Sequence, residues 1–192
     1  MYFNKPIAKL IQKSYLTVTF IFSCLLFCQH SYGLTQIHND NKQKISLNFE
    51  SGITTKQQDK LQRWVKHSSQ ALETIYGEFP LDHFLTQINI SKRGSHPVPW
   101  GEVTRDFPPE VTLVVNVNSS LDELKADWTI YHEFSHLLIP YDAGDARWFS
   151  EGLASYYQNV VQARAGMFNE QTMWQKLFDG FERGDKQQSY NH

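Results

Sequence analysis

Between residues 45 and 50 apolar side chains alternate with polar ones, with Ile45, Leu47 and Phe49 on one side. A period of two predicts a strand with one buried face. From Thr55 to Tyr76 the period lengthens, so that Leu61, Trp64, Val65, Ala71, Leu72 and Ile75 share a helical stripe, and Thr55-x-x-Gln58 fits a capping box at its start. Residues 87–92 (QINISK) and 111–117 (VTLVVNV) read as strands, the second apolar enough to be covered on both faces. The stretch between them, residues 93–109, is rich in Gly and Pro and reads as irregular. A long helix follows, opened by the capping box Ser120-x-x-Glu123, carrying Leu121, Leu124, Trp128, Tyr131 and Leu138, and closed by Pro140. Beyond a turn-rich loop, Tyr141 to Arg147, a second helix runs from Trp148 to Ala165 and stops at Gly166. A third, from Glu170 to Phe181, has Asn169 as its cap and Met173, Leu177, Phe178 and Phe181 as its packed face; the polar tail DKQQSYNH after it reads as frayed.

The first 33 residues differ in kind. They carry Lys5, Lys9 and Lys13 with no acid, then an apolar run from Leu16 to Cys28, then Ser31-Tyr32-Gly33. That is the pattern of an export signal cut after Gly33, and its thirteen-residue core falls short of the roughly 20 residues that span a bilayer. The expected product is a periplasmic or secreted chain with no stable membrane insertion. Residues 34–192 suffice for a single domain, whole or shortened at its C-terminus. Both cysteines, Cys24 and Cys28, fall inside the signal, which excludes a disulfide framework and any thiolate ligand or nucleophile from the mature chain. Removing three lysines takes the net charge from −2 to −5 (−2 − 3). With no basic stripe, a nucleic-acid partner is excluded as an expectation.

The candidate chemistry lies in His132-Glu133-Phe134-Ser135-His136 and in Trp148-Phe149-Ser150-Glu151-Gly152. Histidines four apart on a helix face the same way, so His132 and His136 converge on one ion. A hydrolytic zinc site takes three protein ligands and leaves one position for water, and Glu151 supplies the third. Glu133, projecting beside the histidines, is placed to act as general base on a zinc-bound water. Against this stand two plainer readings, ordinary buried histidines with a solvated acid, or a structural zinc, which would want four ligands and often cysteine.

These two motifs together resemble the gluzincin metallopeptidases, and WFSEGLASYYQNVVQARAG, residues 148–166, is similar to the glycyl aminopeptidase family. The resemblance implies zinc at His132, His136 and Glu151 with Glu133 as base, in a gluzincin-like catalytic domain. It also implies an edge strand that holds extended substrate by β-augmentation. In an aminopeptidase of that plan Glu102, in Trp100-Gly101-Glu102, is the first candidate to bind the free amine, with a solvated loop acid as its plainer reading. The amine-anchoring Gly-x-Met-Glu-Asn type motif of the larger aminopeptidases has no clear match, and for the oxyanion at most one of Tyr156 and Tyr157 can face the metal, while Tyr190 lies in the polar tail.

Other residues receive plainer roles. Tyr156 and Tyr157 pack, His83 and His96 are surface or turn histidines, and Tyr190 belongs to the tail. Asp142 and Asp145 cap a helix or support a ligand histidine. Gly152 and Ala154 suggest close approach of the two motif-bearing helices. The expectation as a whole is an α+β domain, a small twisted mixed sheet packed on helices with zinc between two of them. It acts as an exported zinc-dependent metallopeptidase on peptide or protein substrates, or else as a catalytically weak or inactive peptide- or protein-binding domain of the same fold.

Overall fold

A computed structural model describes residues 35–38, 44–92, 94, 96–138 and 147–189. The segment read as an export signal, Pro140 to Asp145 with Asp142, and Tyr190 lie outside the described residues. Five strands, β1 (Thr35–His38), β2 (Lys44–Phe49), β3 (His83–Ile90), β4 (Trp100–Thr104) and β5 (Glu110–Val115), form one mixed sheet in the order β1-β2-β3-β5-β4. The three central strands run parallel, and β1 and β4 close the two edges antiparallel. Among the described residues five α-helices complete the α+β fold: α1 (Thr55–Glu73), α2 (Leu121–Ala126), α3 (Thr129–Ser135), α4 (Arg147–Arg164) and α5 (Glu170–Ser189). None among the described residues is long and apolar enough to cross a membrane.

Register explains which sheet face is covered. Ile45 stands beside Phe84, Leu47 beside Thr86 and Phe49 beside Ile88, while Val111, Leu113 and Val115 continue the same rows through β5. These residues are buried, and Leu61, Trp64, Val65 and Leu72 of α1 join them in one core with Ile130, Tyr131 and Phe134 of α3. Phe84 stacks on Phe79, with centroids 5.0 Å apart, and meets the ring of Phe134 edge-on at 5.4 Å. The ring that precedes Ser135 and His136 in the motif is thereby fixed against the sheet.

Several boundaries depart from the sequence reading. The capping box of α1 is Thr54 with Gln57, one residue earlier than expected, and both reciprocal bonds form. Strand β3 begins at His83, where the imidazole Nε2 lies 3.0 Å from Ser46 Oγ, instead of at Gln87. The segment expected to be irregular contains β4, an edge strand whose residues alternate between exposed and partly buried. The expected long helix is broken at Asp127, which adopts an extended conformation (ψ 138°) between α2 and α3. Trp128, expected in the core stripe, is 47% exposed and lays its ring edge-on against His132 at 5.6 Å. Helix α5 extends through the tail to Ser189 where fraying was expected, and of its anticipated packed face only Met173 is buried, with Phe178 and Phe181 largely exposed. Asn169 does cap it, accepting the Thr172 N–H at 2.8 Å. Of the two tyrosines, Tyr157 packs against the core and Tyr156 is exposed.

Candidate metal centre

Asp127 sets the start of the helix that carries the histidines. Its buried carboxylate accepts the Thr129 N–H at 2.9 Å and the Val98 N–H at 3.3 Å, and the Thr129 hydroxyl donates to the Val98 carbonyl at 2.9 Å. The residues that lead into β4 are thus stitched to the first turn of α3. His96 adds a contact from outside, its Nδ1 3.3 Å from Asp127 Oδ2. Helix α3 then runs seven residues and tightens into a 3₁₀ turn, His136–Leu138. His132 lies in the α-helical part and His136 at the tightening, so the pair stays on one side with ring centroids 4.9 Å apart.

Helix α4 brings the acid. Glu151 Oε2 lies 3.3 Å from His132 Nε2 and 3.6 Å from His136 Nε2, and one ligand atom from each of the three residues falls within 4.8 Å of the others. The opposite ring nitrogens are engaged elsewhere on the same helix. His132 Nδ1 is 2.8 Å from Gln158 Oε1, and His136 Nδ1 is 3.2 Å from Ser150 Oγ. An amide oxygen only accepts, so His132 carries its proton on Nδ1 and leaves the Nε2 lone pair bare toward Glu151. The Ser150 hydroxyl is able to accept from His136 Nδ1 in the same sense. Burial, aided by the neighbouring His132 and by Arg105 and opposed by Glu151, holds His136 down at about 4, which keeps it neutral as a ligand must be. Two bare imidazole nitrogens and one carboxylate, facing one another beside open space, fit a divalent cation with a coordination position to spare.

Glu133 sits beside this trio, only 8% exposed. Burial, and then the carboxylates of Glu151 and Glu102, push its carboxyl up to about 7. An open cleft of about 650 Å³ lies in front, lined by His132, Glu133, His136 and Glu151 on one side and by residues 100–105 on the other. Arg105 Nη2 donates to the His136 carbonyl at 2.8 Å, tying the end of β4 to the end of the metal-site helix. Arg147, one turn before Glu151, also lines the cleft, with Nε 4.0 Å from Glu151 Oε1.

The structure therefore brings His132, Glu133, His136 and Glu151 together. Glu102 lines the same cleft, but it pairs with Thr112 and belongs to the sheet face opposite the buried row, while Gly101, paired with Leu113, faces Glu133. Close approach was expected at Gly152, yet a Cβ there would meet nothing within 4 Å; the tight glycine is Gly101. Among the described residues the histidine partners are Gln158 and Ser150; Asp142 and Asp145 lie outside the described residues. Their signal was available: Ser150, Glu151, Ala154 and Gln158 recur on one helical face.

Residues 141–192, about a quarter of the chain, match the family described as M61 glycyl aminopeptidase. The matched stretch contains Glu151, Ser150 and Gln158 and begins after His136, so the two histidines and Glu133 stand on geometry alone. No curated protein matches the chain. The match supports a peptidase, and an α+β domain with a candidate metal centre on an open cleft accords with one.

Proposed function

We propose that the protein is an exported zinc-dependent metallopeptidase that hydrolyses peptide bonds at this centre. The observation that carries the reading is the facing of His132 Nε2, His136 Nε2 and the Glu151 carboxylate, with Glu133 beside them on an open cleft. Borderline nitrogen donors with one carboxylate and no cysteine favour zinc among the divalent ions. When bound, zinc supplies a Lewis acid for the scissile carbonyl and acidifies the attacking water.

The chain's own residues do the rest. Glu133 takes a proton from the water and returns it to the leaving amine. Gln158 and Ser150 hold the histidine tautomers in which Nε2 is the donor. Strand β4, an edge of the sheet that lines the cleft, takes extended peptide by strand addition. Glu102 at the rim is the candidate to hold a free amino terminus, and export follows from the leader read over residues 1–33.

The test is a mixed peptide library digested by the full chain, by Glu133→Ala and by His136→Ala, with bound metal quantified in each. One metal per native chain, cleavage in the native protein, and loss of turnover in Glu133→Ala with the metal retained establish the assignment. Metal without cleavage points to a peptide-binding domain instead. Loss of the preference for free amino termini in Glu102→Ala would identify the amine anchor; an unchanged preference removes Glu102 from the site.

A further inference from the structure

Gly101, the second residue of β4, is an unusual residue for a strand. Its backbone is extended, unlike Gly52, Gly77, Gly94 and Gly166 with their positive φ, so the strand conformation itself accepts any side chain. A strand-interior glycine sacrifices packing and adds backbone entropy to the unfolded chain, and such a position often marks a close approach. The approach here is to the candidate base. A Cβ built at Gly101 would lie 2.6 Å from Glu133 Cγ, 3.0 Å from Oε1 and 3.1 Å from Cδ.

Neighbouring positions show that the void is local. Val103, on the same sheet face and paired with Val111, packs against the core, and Leu113, the partner of Gly101, is buried. Between them the bare backbone at 101 forms a wall against which the Glu133 side chain lies. Behind Glu133 the helix is fixed by Phe134 against Phe84, and the strand is tied to the helix at both ends, through Val98 to Asp127 and Thr129 and through Arg105 to the His136 carbonyl. Neither wall has slack to give. An added methyl would be absorbed where there is freedom, by rotation of Glu133 about its own side-chain bonds, which swings the carboxylate away from its place beside the histidines.

We propose that Gly101 is a positioning residue for the hydrolytic reaction: its missing side chain is the space in which Glu133 is held, so β4 sets the direction of the base as well as forming the wall of the cleft. This rests on the peptidase reading for its kinetic consequence and on geometry alone for the contact. A misdirected base leaves the ligands and the substrate-binding edge intact, so kcat suffers and KM does not. A displacement of about 1 Å at a catalytic group costs on the order of 100-fold.

The experiment is a pair of comparisons on the full chain. In the zinc-loaded protein, Gly101→Ala is expected to keep one metal per chain and a KM within about threefold of native while kcat falls about 100-fold. A kcat within about threefold of native, at full metal content, overturns the proposal. In the metal-free protein the urea midpoint is read for Gly101→Ala in the native and in the Glu133→Ala backgrounds. The methyl fills vacated space when Glu133 is truncated, so the midpoint shift is expected to be more favourable there, including the case in which Gly101→Ala folds only in that background. Equal shifts, or failure to fold in both, overturn the contact. A native chain with metal but no turnover refutes the peptidase reading and leaves the stability comparison to decide Gly101 on its own.

Discussion

Replacing Glu133 by glutamine tests the electrostatics of the site without touching its ligands. Burial, with the carboxylates of Glu151 and Glu102, raises the Glu133 carboxyl from 4.5 to about 7 in the metal-free fold. The unfolded chain releases this proton near 4.5, whereas the folded chain holds it until about 7. Folding is therefore opposed increasingly as pH climbs from 4.5 to 7, and the opposition is constant above that. At about 1.4 kcal/mol per pH unit, the interval corresponds to a cost of about 3 kcal/mol at pH 8 that is absent at pH 4. Glutamine keeps the shape and never ionises. Urea unfolding of the chelated full chain and of Glu133→Gln, at steps from pH 4 to pH 8, should show equal stability at the acid end and a gain of about 3 kcal/mol for the variant at the alkaline end. His136 titrates in the opposite sense, since its folded pKa is lowered and stability is lost as pH falls from 6.5 toward about 4. That contribution belongs to both proteins and drops out of the difference. A difference that does not change with pH would refute the reasoning, because it would mean that the Glu133 carboxylate ionises as freely in the fold as in water.

Removing the amide that holds His132 should weaken metal binding 10- to 100-fold in Gln158→Ala, read by competition with a chromophoric chelator, while Gln158→Glu keeps an acceptor and retains affinity. Zinc at about 100 times its dissociation constant should stabilise the native chain and Glu133→Ala by about 2.7 kcal/mol in thermal unfolding and leave His136→Ala unmoved; an equal response in His136→Ala would place the ion elsewhere. Asp127→Ala strands the Val98 and Thr129 amides, and a loss of about 1–3 kcal/mol is expected by denaturant titration, with no loss if water replaces the carboxylate fully. Phe84→Ala empties the ring cluster behind the motif and should cost about 3–5 kcal/mol.

Patterns that repeat within a few residues were legible from the chain. The stripe of α1, the Ser120 capping box, the Asn169 cap and the shared face of His132 and His136 all depend on spacings fixed by helical geometry. What the sequence hid depends on partners distant along the chain. Strand β4 is short, half exposed and flanked by Pro and Gly, so nothing marks it until β5 supplies a register. The break at Asp127 leaves the apolar period running across it, because Leu124 and Tyr131 are both core residues of separate helices. Trp128 looked like a core position by period and turned outward at that break. Gly101 and Gly152 are alike in sequence terms, and only the fold reveals which of them has a neighbour where its side chain would be.

The brevity of α3 has a consequence in time. Seven residues are well below the roughly 12–15 at which a helix persists by itself in water, so His132 and His136 share a face only after the sheet and α1 have closed over Phe134. Glu151 and Gln158 arrive on a different helix, made later. A site that needs all three residues is incomplete until α4 has docked against α3. A chain interrupted between the two helices would carry an intact HEFSH motif and hold no metal.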